Sequence, residues 1–227
     1  MVYKNTIIYT AATVLVKLIV TIPCAYTLSR PELFGRNFFI KFMMVTMFFS
    51  GGMIPSYLLV KNLGMLNTMW ALILPGATSV YNIIVTRSFF ETNIPRELEE
   101  SAIMDGANDF TIFFKIVLPL SAPIIAVVAL FVGVGRWNGF MEALIYLSDR
   151  SKYPLQMILR ELLILQDLSS NSNASNTSVQ MAAYKQAQLA GIIKYGVMIV
   201  STLPIVVVYP FLQRYFVKGM LVGSLKG

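Results

Sequence analysis

Residues 97–119 read ELEESAIMDGANDFTIFFKIVLP, and their character decides how the rest of the chain must be arranged. Glu91, Glu97, Glu99, Glu100, Asp105 and Asp109 make up six of the eleven Asp and Glu residues of the protein. Apolar runs too long for an ordinary soluble core flank the stretch on both sides. Such a density of charge cannot sit in hydrocarbon, so it is expected to form a polar connection on one membrane face. Asn93 is expected to cap a helix whose first turn holds Pro95, with Glu97, Glu99 and Glu100 at the positive end of its dipole. Leu98 and Ala102, four residues apart, give that helix an apolar edge. Gly106 permits a sharp turn, and a second helix is expected from about Asp109 into Phe113, Phe114 and Ile116.

Composition agrees with a membrane setting. The chain has 227 residues, 56% of them hydrophobic and 13% charged, with a mean hydropathy of +0.68. That points to an all-α polytopic membrane protein, one domain by length. The net charge of +7 does not indicate nucleic acid, because the basic residues sit at the ends of apolar runs rather than in a stripe with interleaved aromatics. Histidine is absent and Cys24 is the single cysteine, which leaves no disulfide or cysteine metal cluster within the chain. No cleavable signal peptide is evident, since the first apolar run ends in Tyr-Thr-Leu-Ser-Arg without a small-x-small site.

Taken in order, spans are expected at about residues 7–28, 38–60, 69–90, 112–135 and 192–211, each near the ~20 residues needed to cross a bilayer. Lys17, near the middle of the first, either packs against a neighbouring helix or polar cavity or lines a path through the membrane. Gly51-Gly52 and Pro55 break the second span, so that region must face protein or a wet cavity. Pro75-Gly76 is expected to kink the third, which carries Tyr81 and Asn82. Pro119 and Pro123 are expected to bend the fourth. At its outer end Trp137 is either an interfacial anchor or a surface for a sugar face, and Asn138 is the better candidate of the pair for a ligand contact. Gly133-Val134-Gly135 is not a dinucleotide fingerprint, as no strand precedes it. Residues 149–189 form the one extended polar region. Leu155, Ile158, Leu159, Leu162 and Leu163 recur in it at helical spacing, and SSNSNASNTS at 169–178 is low in complexity.

Glu100-Ser101-Ala102, then Gly106, then Ile116-Val117-Leu118-Pro119, resembles the EAA loop of ABC importer permeases, whose pattern is E-A-A, three residues, G, nine residues, I-x-L-P. Only Ser101 departs from it. Phe49-Ser50-Gly51-Gly52-Met53-Ile54-Pro55 and the C-terminal residues 215–227 resemble the carbohydrate, maltose-type branch that serves oligosaccharides and polysaccharide fragments. The resemblance implies a MetI-like ABC importer transmembrane fold forming one permease domain over residues 1–227. Residues 93–119 would be the cytoplasmic coupling loop and 148–189 an extracytoplasmic loop reaching a solute-binding (lipo)protein.

It further implies a cytoplasmic ABC ATPase dimer docked through Glu100, Ser101, Ala102, Asp105, Gly106, Ile116, Leu118 and Pro119. A homologous second permease subunit and a sugar solute complete the implied partners, with no nucleic acid. Tyr81, Asn82, Trp137 and Asn138 are the expected path residues. No catalytic residue, metal or cofactor is expected on this chain. It lacks a phosphate loop, so ATP and Mg would sit on the partner ATPase. The two sequons at Asn173 and Asn176 carry no weight in a bacterial importer.

With the acidic loop assigned to the cytoplasm, nine basic residues fall at cytoplasmic span ends: Arg30, Arg36, Lys41, Arg87, Arg96, Lys115, Arg214, Lys218 and Lys226. Only Lys4 and Lys61 fall at short outer segments. This predicts a multi-pass protein of the bacterial plasma membrane with a cytoplasmic C-terminus. Family members usually begin with one further span, so the first is expected to be missing here. An ion-coupled secondary transporter would need carboxylates within the spans, and a membrane enzyme would need a catalytic constellation. The sequence offers neither.

Overall fold

The computed structural model describes residues 1–170 together with 195–196, 198–199, 201–204, 206–207 and 210. Helices account for all regular structure among the described residues. The first helix, α1 (Val2–Ser29), carries Pro23 inside it and is the only unbroken helix among them long and apolar enough to cross a membrane. Next come α2 (Arg36–Phe48) and α3 (Met53–Asn62), which replace the expected second span with a pair bent by 109°. The bend belongs to Gly52, whose φ of +86° is strained for residues with a Cβ, while Pro55 sits within the first turn of α3. None of the residues of α2 is buried, and only Val60 of α3 is.

The expected third span is divided rather than kinked. The short α4 (Trp70–Ile73) stops ahead of Pro75 and Gly76, and α5 (Val80–Asn93) starts afresh with Ser79 Oγ accepting from the Asn82 amide. Because α5 runs on through Asn93, that residue does not cap the following helix. Its Nδ2 donates back to the Phe89 carbonyl at 3.2 Å, Ile94 is extended, and Pro95 takes the N-cap position of α6 (Arg96–Met104).

The fourth expected span is assembled from α7 (Asp109–Ile112), a π-helical turn (Phe113–Val117), α8 (Leu118–Leu120) and α9 (Ala122–Asn138). The segments before and after Ser121 meet at 71°. Pro119 and Pro123 stand on either side of that break, each in the first turn of its own helix, where a missing N–H is harmless. The remaining elements are α10 (Met141–Tyr146), a 3-10 turn (Arg150–Lys152) and α11 (Leu155–Ser170), the last where the leucine spacing predicts a helix. The loop expected at 169–178, the glycosylation sequons and the C-terminal tail lie outside the described residues, save Ser169 and Ser170 at the end of α11. Of the expected span at 192–211, the residues described are helical.

The core is built around α1, which packs on α5 along one side and α9 along another. At one end, Ile22, Ala25 and Leu28 bury against Ile83, Phe90, Ile94, Ala102, Ile112 and Val117, so the acidic helix is fastened to the spans by its Ala102 edge. At the other end Tyr9, Val60, Ala71, Leu72, Ala143, Tyr146 and Leu147 form a second cluster. Polar contacts lock that end as well. Asn5 Nδ2 donates to the Ser151 carbonyl at 2.7 Å, Thr6 Oγ1 accepts from the Leu155 amide at 2.8 Å, and Tyr9 donates to the Lys152 carbonyl at 3.0 Å.

Candidate functional site: a charged loop and a polar cavity

Two features along α1 are the candidates for a functional site. The first is the loop at residues 93–119. Its α6 closes with a Schellman cap: the Gly106 amide donates to the Ile103 carbonyl and the Ala107 amide to the Ala102 carbonyl, both at 2.9 Å, with Gly106 at φ +81°. Asn108 then caps α7, its Oδ1 accepting from the Thr111 amide at 2.8 Å. The chain therefore reverses through two satisfied helix ends, as expected from Gly106. Glu100, Ser101, Asp105, Gly106 and Pro119 are exposed, Ala102 is buried, and Ile116 and Leu118 are half-buried against the same cluster as Ala102. Large apolar side chains also face outward here: Met104 is 87% exposed and Phe110 76%, with Ile103 and Phe114 beside them in the sequence.

Beneath this surface lies an arrangement that spacing alone does not reveal. Glu99 is only 6% exposed, and its carboxylate pairs with the Arg30 guanidinium at the end of α1. Arg30 also donates to the Tyr26 hydroxyl and stacks over that ring at 4.7 Å. Tyr26 in turn meets Phe90 of α5 edge-on at 6.0 Å and Phe113 of the π turn at 5.2 Å. Arg36 and Arg87 share Glu91 nearby. The signal in the sequence is topological: the basic cluster after the first span and the acidic stretch fall on one membrane face.

The second feature is a cavity of about 600 Å³ half-way along α1, within the size range of small-molecule sites. Lys17, Tyr81, Asn82, Arg136, Asn138 and Glu142 supply its polar wall. Arg136 pairs with Glu142, and Asn138 Oδ1 accepts from Gln156 Nε2 at 3.4 Å. Three of the four expected path residues thus meet in one place, joined by Lys17. The fourth does not. Trp137 is 7% exposed and turned away, its indole N–H donating to the Ser201 carbonyl at 2.9 Å and its ring edge-on to Tyr3. One helical position separates it from Asn138, and a 100° rotation per residue sends neighbours to different faces. Trp137 is neither at the cavity wall nor set as an exposed anchor. It ties α9 to the helical residues at 201–204.

Among the described residues no group of His, Cys, Asp and Glu is placed to hold a metal. The profile of the family described as binding-protein-dependent transport system inner membrane component matches residues 2–222. Protein LplC of Bacillus subtilis (strain 168) is 49% identical over 212 residues, covering 93% of this chain and 69% of its own length. The polygalacturonan/rhamnogalacturonan transport system permease protein YtcP of the same organism is 44% identical over 229 residues, covering all of this chain and 78% of its own. Among solved structures, a bacterial ABC transporter involved in the import of the acidic polysaccharide alginate superimposes with a TM-score of 0.80 at 34% identity, over 95% of this chain and 74% of that one. YtcP is named a transport system permease and the solved structure an ABC transporter, and the fold is the MetI-like one. The chain belongs to the binding-protein-dependent inner membrane component family, as a carbohydrate ABC importer permease.

Proposed function

We propose that this chain carries oligosaccharides across the bacterial plasma membrane by way of the cavity beside Lys17. It works together with a homologous second permease, an external solute-binding protein and a cytoplasmic ATPase dimer that holds ATP and Mg. The ATPase docks on residues 93–119, and the C-terminus lies on the same side. The observation that carries this reading is the join between loop and spans. A helix pair with acids and large apolar groups outward is fastened from beneath, through Glu99, Arg30 and Tyr26, to the helix that walls the cavity. Exposed apolar groups beside charge are the composition of a protein interface rather than of a solvated turn. Displacement of α6 by a closing ATPase would be carried into α1 by an ion pair and a ring contact, without passing through a mobile linker. A solute rich in hydroxyls finds amide and phenol partners at Asn82, Asn138 and Tyr81.

The experiment is co-purification of the cognate ATPase with wild-type chain and with Gly106→Pro. Proline cannot adopt φ +81° and removes the N–H that closes α6 on Ile103. The wild type should retain the ATPase, and the variant should lose it while remaining in the membrane. Equal retention by both would remove this stretch as the docking site.

A further inference from the structure

The charges around the cavity do not balance. Arg136 and Glu142 satisfy each other, whereas Lys17 makes no hydrogen bond or ion pair among the described residues. Its ammonium lies against Gly76, where an added Cβ would stand 3.8 Å from Nζ. That is ordinary van der Waals contact, and it places the lysine head at the break between α4 and α5. Lys17 is also near the middle of α1, the depth at which a charge is most expensive and too far from either end to reach the interface by extension alone. Among the described residues the wall of this cavity of about 600 Å³ sets two cations, Lys17 and Arg136, against one carboxylate, Glu142, whose ion pair is with Arg136, so one positive charge is left over for an anion from outside the chain.

A neutral sugar gives it no such anion. Hydroxyls are already served by the amides of Asn82 and Asn138 and the phenol of Tyr81, which can both donate and accept, whereas an ammonium can only donate. What an ammonium adds is preference for negative charge, and the charge that belongs to a sugar ring is the carboxylate of a uronic acid. We propose that Lys17 is an anion subsite in the translocation path that receives the carboxylate of a uronate-containing oligosaccharide. This inference rests on the importer function proposed above. It assigns a solute class to that function and a specificity-determining residue to the cavity. Arg136, held by Glu142, shapes the wall next to the subsite and does not compete for the solute.

The test uses the complete importer in proteoliposomes, with uptake normalised to inserted chain. The probes are trigalacturonate and trimannuronate, each beside its carboxyl-reduced, neutral counterpart. Lys17→Gln should lower uptake of the uronates at least tenfold below saturation and leave the neutral trisaccharides within twofold. Lys17→Arg, which keeps the charge, should restore most of the uronate uptake. Equal losses on charged and neutral sugars, with both Gln and Met at position 17, would make the lysine a structural group and overturn the proposal. So would a wild type that carries the neutral sugars but not the uronates, or uronate uptake that Lys17→Gln leaves unchanged. All three of these outcomes leave the importer function standing. A wild type that shows no ATP-dependent uptake of any of the four sinks the importer function and this subsite with it.

Discussion

Half-way along α1 and at its end, the same helix treats a cation in opposite ways. Arg30 is enclosed by a nearly buried carboxylate, a phenol and an aromatic face, and its neighbours Arg36 and Arg87 divide Glu91 between them. Lys17, about 20 Å up the helix by the ~1.5 Å rise per residue, faces a cavity whose one acid among the described residues, Glu142, is paired with Arg136. A charge whose every contact comes from the chain fixes elements to one another. A charge left open toward a cavity is held for something that comes and goes. Under the proposed function the first is a mechanical joint and the second a binding position.

That contrast can be broken by substitution, and the largest effect belongs to the joint. Glu99→Ala strands the Arg30 guanidinium beneath α6 and is expected to cost about 2 kcal/mol, less than a fully buried pair because Arg30 is a quarter exposed. In a protein of this size that lowers the thermal midpoint by about 6 °C. Exchanging the two charges, Arg30→Glu with Glu99→Arg, should recover part of it, and no loss on the single substitution would dissolve the joint. At the open position the sign reverses. Lys17→Met removes a costly unpaired charge, so the thermal midpoint of the purified protein should stay level or rise by about 2 °C. A clear fall would mean that Lys17 has a structural partner after all.

Smaller effects sharpen the picture at uncharged links. Trp137→Phe deletes the donor to the Ser201 carbonyl and should cost about 1 kcal/mol in stability. Solute preference should not change, because the side chain is turned from the cavity; a changed preference in uptake assays would put Trp137 back on the path. The smallest effect lies outside the spans, at Asp149. Hydrogen bonds from the Ser151 hydroxyl and amide hold its carboxyl below the usual carboxylate range. A depressed folded value stabilises the protein above the unfolded pKa, and that contribution is lost as pH falls through the folded one. Ser151→Ala should therefore raise the Asp149 pKa by NMR titration, and its stability difference from wild type should vanish at the acid end.

Much of this was legible in the residues. The long apolar run of α1, the leucine spacing of α11 and the turn at Gly106 each rest on local chemistry, a period or a single left-handed residue, and each appears where the sequence places it. Pairings across the chain were not legible. Arg30 and Glu99 stand 69 residues apart, and no periodicity links them. Asn93 looked like a cap because its side chain suits one, yet α5 already had enough apolar contact through Phe90 to run past it. Trp137 and Asn138 are neighbours in sequence and both candidates for the path, although adjacent helical residues point about 100° apart. Glycine and proline announced where spans were interrupted but not by how much, since a bend of 109° at Gly52 depends on what the two halves pack against.

The π turn at Phe113–Val117 has one more consequence. There the Leu118 amide reaches back five residues to the Phe113 carbonyl, so this stretch of backbone holds a residue more than an α-helix would use to close the same ladder. The variable it exposes is chain length rather than side-chain identity. Deleting one residue, such as Phe114, would let the ladder close four residues back without breaking the helix. Everything on the N-terminal side would then turn by about 100° relative to α9. Met104 and Phe110 would swing to a new azimuth with their chemistry intact, so a shortened chain could fold, insert and still present its loop in the wrong direction.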